Sequence, residues 1–523
     1  MALQGFRKWI IVAVAISAAI MELIDTSIVN VGLLQMAGSL GVNVEDVAWV
    51  ITAYAIANVI IIPLTGFFQR YFGRKNYFIF SIILFTLASY FCGMATTLPM
   101  LVLARFIQGI GGGALLSVSQ GLLFDSFTPQ QRPIASAVFG MGIVLGPTFG
   151  PTLGGYIIDN FHWSWMFFIN IPVGILAVAL SYTFIETKPE ELNIDRKAIK
   201  VDYFGIVLLA VGIGCLQFVL ERGEADDWFD SNLISICTVA TIICLLGFGW
   251  WELRIAEPVV NLRIFKNRNL SLGTALMFVI GIGLFTSVYM YPLFVQRIVG
   301  YTATQTGKLL IPGSIISVFL FPLAGRLLAK GVPPARLIMF GYAAFALFCY
   351  VLSTYNANAS AGMFIFALMI RGFGLAFANV PLINQSVATL APKDLPMGIA
   401  ITNMVRQVGG AFGIALTNTY IGQRLPQHVN DLSTHLQAGD ALTTERITNI
   451  SQALIARGIN PLDALSLTYQ NLQFAIQKQA LMLSYLDVFR AAMLFFLITF
   501  PLAFFLQNKK PSAAAIKAAA EAH

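Results

Sequence analysis

Long apolar blocks separated by short polar breaks make up most of this chain. Each block has about 20 residues or more, the length an α-helix needs to cross the ~30 Å hydrocarbon core of a bilayer. About fourteen blocks are read, near 9–36, 47–69, 77–95, 99–121, 133–157, 164–184, 203–220, 232–251, 271–293, 304–327, 336–354, 361–383, 398–421 and 483–506. Short segments alternating at period two, the mark of a transmembrane β-barrel, are absent. The pattern predicts an all-α polytopic membrane protein. Arg7 and Lys8 precede a long apolar run with no small-residue cleavage pattern before Asn30, so the start reads as a retained first span rather than a cleaved signal.

The polar breaks fall into two classes. Alternate breaks hold Arg70, Arg74, Lys75, Arg132, Lys188, Arg196, Lys197, Lys200, Arg254, Arg263, Lys266, Arg268, Arg326, Lys330, Arg336 and Lys393, joined by Lys509 and Lys510 near the end. The opposite short breaks hold essentially only Arg222 and Arg297. Basic loops stay on the cytoplasmic side, so both termini are expected there. Segment 422–482 is polar and far longer than its neighbours, with amphipathic stretches at 443–457 and 465–479. It is expected outside, either as short helices over the external mouth or as a docking surface for another protein.

An internal repeat is visible. Ile62-Pro63-Leu64-Thr65-Gly66 ends the second block and Phe321-Pro322-Leu323-Ala324-Gly325 the tenth; basic residues follow each, and a mid-span arginine, Arg105 or Arg371, lies downstream. Two parallel six-span halves rocking about a midplane site would carry such a repeat. The expected organisation is a first half at 1–186, a linker with two extra spans at 187–269, a second half at 270–511 that includes 422–482, and a cytoplasmic tail at 512–523.

Composition agrees. Of 523 residues, 57% are hydrophobic and only 11% charged, against the ~25% usual in soluble domains. The net charge of +7 sits in short loops and is no nucleic-acid signal. Cys92, Cys215, Cys237, Cys244 and Cys349 fall inside spans and read as small apolar packers, with no disulfide framework or metal spacing. No nucleotide loop, HExxH or nucleophile triad is present, so neither an enzyme nor a cofactor is expected. The energy source is then an ion gradient or the substrate's own gradient.

Glu22 and Asp25 are the chemically informative residues, because carboxylates at bilayer depth are expensive. Three residues apart, they share one helix face. Desolvation and a like-charged neighbour both favour the neutral form of a carboxylate, which suits loading and release of a proton. A wet vestibule or an arginine partner would also satisfy them. Asp25 ranks as the main proton carrier, Glu22 as an accessory, and Arg105 as the group that tunes Asp25. Arg371 and Arg406 have no acidic companion in the predicted spans of their own half.

Several runs resemble the major facilitator superfamily, specifically its fourteen-span drug:proton antiporter group of the EmrB/QacA type. Residues 23–31 resemble the group's first-span signature, which does not include Glu22. Gly66, Gly73, Arg74 and Lys75 resemble the loop motif after the second span, with Arg70 where the family usually has Asp. The run from Arg105 through Gln108 and Gly109 to Gly113 resembles the fourth-span motif implicated in proton transfer. Gly142, Gly146, Pro147, Gly150, Pro151, Gly154 and Gly155 resemble the fifth-span antiporter motif, in which small residues allow close approach and prolines bend the helix. His162 to Pro172 resembles the start of the group's sixth span, its tryptophans expected as interfacial anchors.

The resemblance implies a multi-pass exporter of the bacterial inner membrane that exchanges hydrophobic or amphipathic small molecules for protons. A periplasmic membrane-fusion adaptor and an outer-membrane channel are implied partners in a two-membrane cell. Polar or aromatic groups in apolar spans are the pocket candidates: Asn30, Tyr54, Asn58 and Gln120 in the first half, and Phe285, Tyr289, Asn379, Gln385, Arg371 and Arg406 in the second. A dedicated exporter of a metabolite, siderophore or lipid, and a non-transporting membrane module, stay open as other readings.

Overall fold

A computed structural model describes residues 2–128, 130–187, 201–434, 436 and 440–506. Among these, fourteen helices are long and apolar enough to cross a membrane, and no strand occurs. Spans 1 to 7 are Gly5–Leu40, Glu45–Phe72, Arg74–Gly93, Leu98–Ser126, Arg132–Asn160, Trp165–Phe184 and Tyr203–Arg222. Spans 8 to 14 are Asn232–Glu252, Arg268–Val299, Thr304–Ala329, Pro334–Ser353, Ala361–Gln385, Pro392–Thr434 and Pro461–Phe505. Lys188, Arg196, Lys197, Lys200, Lys509, Lys510 and the 512–523 tail lie outside the described residues.

Local chemistry sets the helix ends. Gly73 at φ 81° turns the chain between spans 2 and 3, a backbone conformation that glycine alone adopts without strain. Asp202 caps span 7 by accepting from the Gly205 amide at 2.9 Å. Thr302 and Gln305 close a reciprocal capping box on span 10.

Helix pairing recurs along the chain. Span 1 packs on span 5, span 2 on span 4, and span 3 on spans 4 and 6. Span 9 likewise packs on span 13, span 10 on span 12, and span 11 on spans 12 and 14. The two sets meet where span 5 lies on span 10 and span 2 on span 13. Spans 7 and 8 pair with each other, and span 7 leans on spans 2 and 13, beside that seam. Span 8 turns Ile236, Ile243 and Leu246 outward, as a helix facing lipid must.

Two expectations change. In segment 422–482 the stretch at 443–457 is a separate short helix, as expected, but the stretch at 465–479 is not. The span-13 helix continues unbroken to Thr434, a helix follows at Ala441–Ile455, and the span-14 helix starts at Pro461, so the stretch at 465–479 is the outer part of that span. At 1.5 Å per residue, the 40-residue helix Leu395–Thr434 is about 60 Å long, twice the hydrocarbon thickness. Its end must project from the bilayer, and Ala441–Ile455 packs against span 14 in the same arm. Hydropathy marks where the membrane ends, but a helix stops only where its backbone pairing is broken. The second change concerns Trp163, which is buried and packs on Phe167 rather than anchoring at an interface.

Candidate functional site

Asp25 lies at the centre of a closed polar cage. Arg105 Nη1 donates to Asp25 Oδ2 at 2.5 Å, and Gln108 Nε2 and Asn170 Nδ2 donate to Oδ1 at 2.9 and 2.8 Å. The same two amides donate to Ser89 Oγ, which passes its own hydrogen to the Phe167 carbonyl at 3.0 Å. Arg105 also donates to the Val50 carbonyl and to Gln108 Oε1, and its guanidinium stacks 4.1 Å over the Tyr54 ring. Both members of the ion pair are buried, at 1% and 0% exposure. Removing one charge from such a pair costs about 3–5 kcal/mol, because its partner stays buried.

Glu22 is held much more loosely. Asn58 Nδ2 donates to Oε1 at 3.1 Å, while Oε2 is buried without a partner. Asn58 Nδ2 also reaches the Tyr54 hydroxyl at 3.4 Å, so Tyr54 stands between the two carboxylates. Across the seam, Arg406 of span 13 is within electrostatic reach of Glu22. Its Nε and Nη1 are buried and unpartnered. The acidic neighbour missing from the arginine's own half therefore comes from the other half.

Glycines bring these helices together. A Cβ on Gly109 or Gly113 of span 4 would fall 2.5 or 2.6 Å from the Tyr54 or Asn58 carbonyl of span 2. On span 5, Gly142 faces Ile20, Gly146 faces Leu23, Gly150 meets Ser27 and Gly154 meets Ile28. The fifth-span motif is thus a bed for the helix that carries Glu22 and Asp25, and at Gly146, Gly150 and Gly154 that helix–helix contact leaves no free space for a Cβ. Span 5 remains one helix through Pro147 and Pro151. Two motif glycines are less crowded: a Cβ on Gly142 would make an ordinary 3.4 Å contact with Ile20, and one on Gly155 would meet nothing within 4 Å.

The loop motif has another acid. Arg74 at the start of span 3 pairs with Asp125 at the end of span 4, and Lys75 Nζ donates to the Tyr182 carbonyl at 2.8 Å. Arg70 is exposed, its guanidinium 5.8 Å from the Phe67 ring. Gly66 lies against the Met397 backbone of span 13. Asp125 takes up an inter-span pairing that the motif's fifth position, as Arg70, does not supply.

The pocket candidates divide. Tyr54, Asn58 and Arg406 gather around Glu22. Gln120 Oε1 accepts from Asn403 Nδ2 at 3.0 Å, a direct bond between spans 4 and 13. Asn379 donates to its own helix at Leu375, with Oδ1 buried and unpartnered, and Gln385 is buried. Phe285 covers Gly410, Tyr289 neighbours Asn418, and Asn30 is exposed. Arg371 is buried beside Tyr291, away from the Asp25 and Glu22 contacts. Ser89 and Asp125 were not singled out from sequence, since a polar residue in a span carries no label for the partner it will meet, and Asn170 appeared only within the run that resembles the start of the sixth span. Gln108 carried a signal through its place in the fourth-span motif.

The sequence family described as Major Facilitator Superfamily matches residues 15–414. The multidrug export protein EmrB of Escherichia coli (strain K12) is 36% identical over 428 residues, 82% of either chain. The fatty acid resistance protein FarB of Neisseria gonorrhoeae is 32% identical over 497 residues, 94% of this chain and 95% of that one. Among solved structures, the proton:xylose symporter XylE superposes with a TM-score of 0.60 at 13% identity, covering 98% of this chain and 99% of that chain, a likeness of fold alone. The chain is a multi-pass membrane protein and belongs to the Major Facilitator Superfamily, as a relative of the EmrB multidrug export proteins.

Proposed function

We propose that this protein exports hydrophobic or amphipathic drugs across the bacterial inner membrane in exchange for protons, and that Glu22 carries the exchangeable proton. The observation behind the site assignment is the contrast between two buried carboxylates one helical turn apart. Asp25 has an arginine and two amide donors; Glu22 has one donor, a free oxygen, and a cation facing it from the other half. Protonating Asp25 would strand Arg105, its direct ion-pair partner, whereas Glu22 makes no direct ion pair among the described residues. An ionised Glu22 attracts Arg406 across the seam and a neutral one releases it, so proton loading biases how the halves meet. Asp25, first in the ranking drawn from sequence, serves in this reading as the fixed counter-charge that holds spans 1 and 4.

Drug export rests on the likeness to EmrB. One proton moved down 100 mV supplies about 2.3 kcal/mol. That sustains roughly a 50-fold gradient of a neutral compound at one-for-one exchange. The repeated helix pairing supports two halves, 1–186 and 270–511, with the extra spans of 187–269 inserted between them in sequence. The basic loops support cytoplasmic termini, and the arm of spans 13 and 14 is then external. Its exposed Leu442, Leu462, Tyr469 and Phe474 suit an adaptor contact. FarB supports a second reading, a dedicated lipid exporter.

Everted vesicles made acid inside test the assignment. Wild type should take up a lipophilic drug and release lumenal protons. Glu22→Gln should lose both while keeping gradient-free drug–drug exchange. Gradient-driven uptake by Glu22→Gln at the wild-type rate would overturn the role of Glu22. Uptake of a fatty acid but of no drug in a panel would replace drug export by the second reading.

A further inference from the structure

Spans 9, 11, 13 and 14 enclose an apolar slot of about 290 Å³. Along span 13 its wall is Gly413, Leu416, Thr417 and Tyr420, one helix face over two turns. At 1.5 Å per residue that face is about 10 Å long, so the section of the slot is roughly 30 Å². Such a section matches a single extended hydrocarbon chain. Five phenylalanines line the slot, and Phe345 of span 11 stacks on Phe496 of span 14 with centroids 4.4 Å apart. Ser287 Oγ is committed to the Leu284 carbonyl at 2.8 Å, while Thr286 Oγ1 is buried without a partner. So few polar atoms among so many rings cannot hold an ion or a sugar.

The slot opens toward the bilayer. Leu416, at 60% exposure, and the exposed Ala491 of span 14 frame its mouth, and both lie within membrane-spanning helices. Phe348 and Cys349 of span 11, 0% and 2% exposed, form its floor. An empty cavity destabilises a fold in proportion to its volume, because the lining forgoes dispersion contacts. Water does not fill an apolar one. The bilayer itself supplies what fits, a chain of methylenes. The arm-side end is polar: the Tyr420 hydroxyl accepts from Arg424 Nε at 3.2 Å, and Asp487 is met by His428 at 2.9 Å and by Arg490 at 3.3 Å. The slot therefore has the polarity of a lipid, apolar along its length and charged at one end. Charges of both signs gather there, so the site reads the chain rather than one head group.

We propose that this slot holds one acyl chain of a bilayer phospholipid as a resident part of the later spans, with the head group at the arm-side surface beside Arg424. The chain completes a packing of four helices that side chains leave unfilled. Span 13 contributes Arg406 to the seam and Leu416 to the slot, so the bound lipid and the seam share one helix.

Photolabelling of the full chain in liposomes tests this, using a phospholipid with a diazirine midway along one acyl chain and mapping adducts by mass spectrometry. Wild type should carry adducts on Phe348 or Cys349, which lipid at the protein surface cannot reach. Ile243 and Leu246 of span 8, 63% and 71% exposed, report that surface lipid. Ala492→Trp should fill the slot and remove the span-11 adducts while leaving those of span 8. Should that variant fail to fold, Ala491→Trp at the mouth should do the same. No span-11 adduct in wild type, or span-11 adducts that persist in a folded tryptophan variant, would overturn the proposal. If decanoate displaces the label and is itself transported, and Ala492→Trp loses that transport, the slot is a substrate site and the resident lipid is wrong.

Discussion

Arg105 Nη1 sits 2.5 Å from Asp25 Oδ2 while its guanidinium covers the Tyr54 ring at 4.1 Å, so one cation ties spans 1, 2 and 4 together. The Tyr54 hydroxyl in turn meets Asn58, the donor to Glu22. A locked carboxylate and an open one are joined through a single tyrosine. That link would carry a change at Glu22 into the packing around Asp25.

Arg105→Ala should cost about 3–5 kcal/mol of stability by leaving Asp25 buried and unpaired. Arg105→Lys should recover only part, since an ammonium lacks the guanidinium fork and its stacking on Tyr54. Melting of detergent-solubilised protein, followed by size-exclusion fluorescence, measures both. An Arg105→Ala protein that melts with wild type would mean the pair does not hold this bundle.

Gly150→Val should abolish transport, and Gly155→Ala should leave it unchanged. A Cβ at Gly150 collides with Ser27 on the helix carrying Asp25, whereas one at Gly155 meets open space. Overpacking of this kind costs typically about 1–3 kcal/mol and shifts backbones. Drug uptake normalised to membrane level separates the two; equal loss at both positions would point to glycine flexibility rather than close approach.

Asp125→Arg and Arg74→Asp should each impair transport, and the double exchange should restore part of it. Their side chains are 27% and 14% exposed, so the pair should contribute no more than about 1 kcal/mol to stability. The effect is therefore expected in transport rate, not in melting temperature. Absence of rescue in the double variant would remove the pairing from the mechanism.

Replacing Leu442, Leu462 and Phe474 with Ser should spare drug–proton exchange in vesicles and lower resistance in intact two-membrane cells. These side chains are 76%, 79% and 67% exposed, and helix Ala441–Ile455 buries none of its residues. Vesicle transport that falls in parallel with resistance would show that the arm supports spans 13 and 14 instead of a partner.

The number of spans, their approximate limits and the Asp25–Arg105 pairing were legible in the sequence, because residence in a bilayer is a local demand. Twenty apolar residues declare a span wherever they lie, and a rare charge among them declares a need for a partner. The glycine run of span 5 was legible for the same reason, since small residues at helical spacing mark a close contact. Tertiary structure alone decided which partner each charge met. Asn170 and Ser89 complete the Asp25 cage from spans 6 and 3, Asp125 takes Arg74, and Arg406 faces Glu22 from the other set of spans. Only the folded chain, likewise, showed helices 13 and 14 running on past the membrane. Hydropathy reports the solvent around a segment, while pairing and helix continuation depend on which distant backbone and side chains arrive beside it.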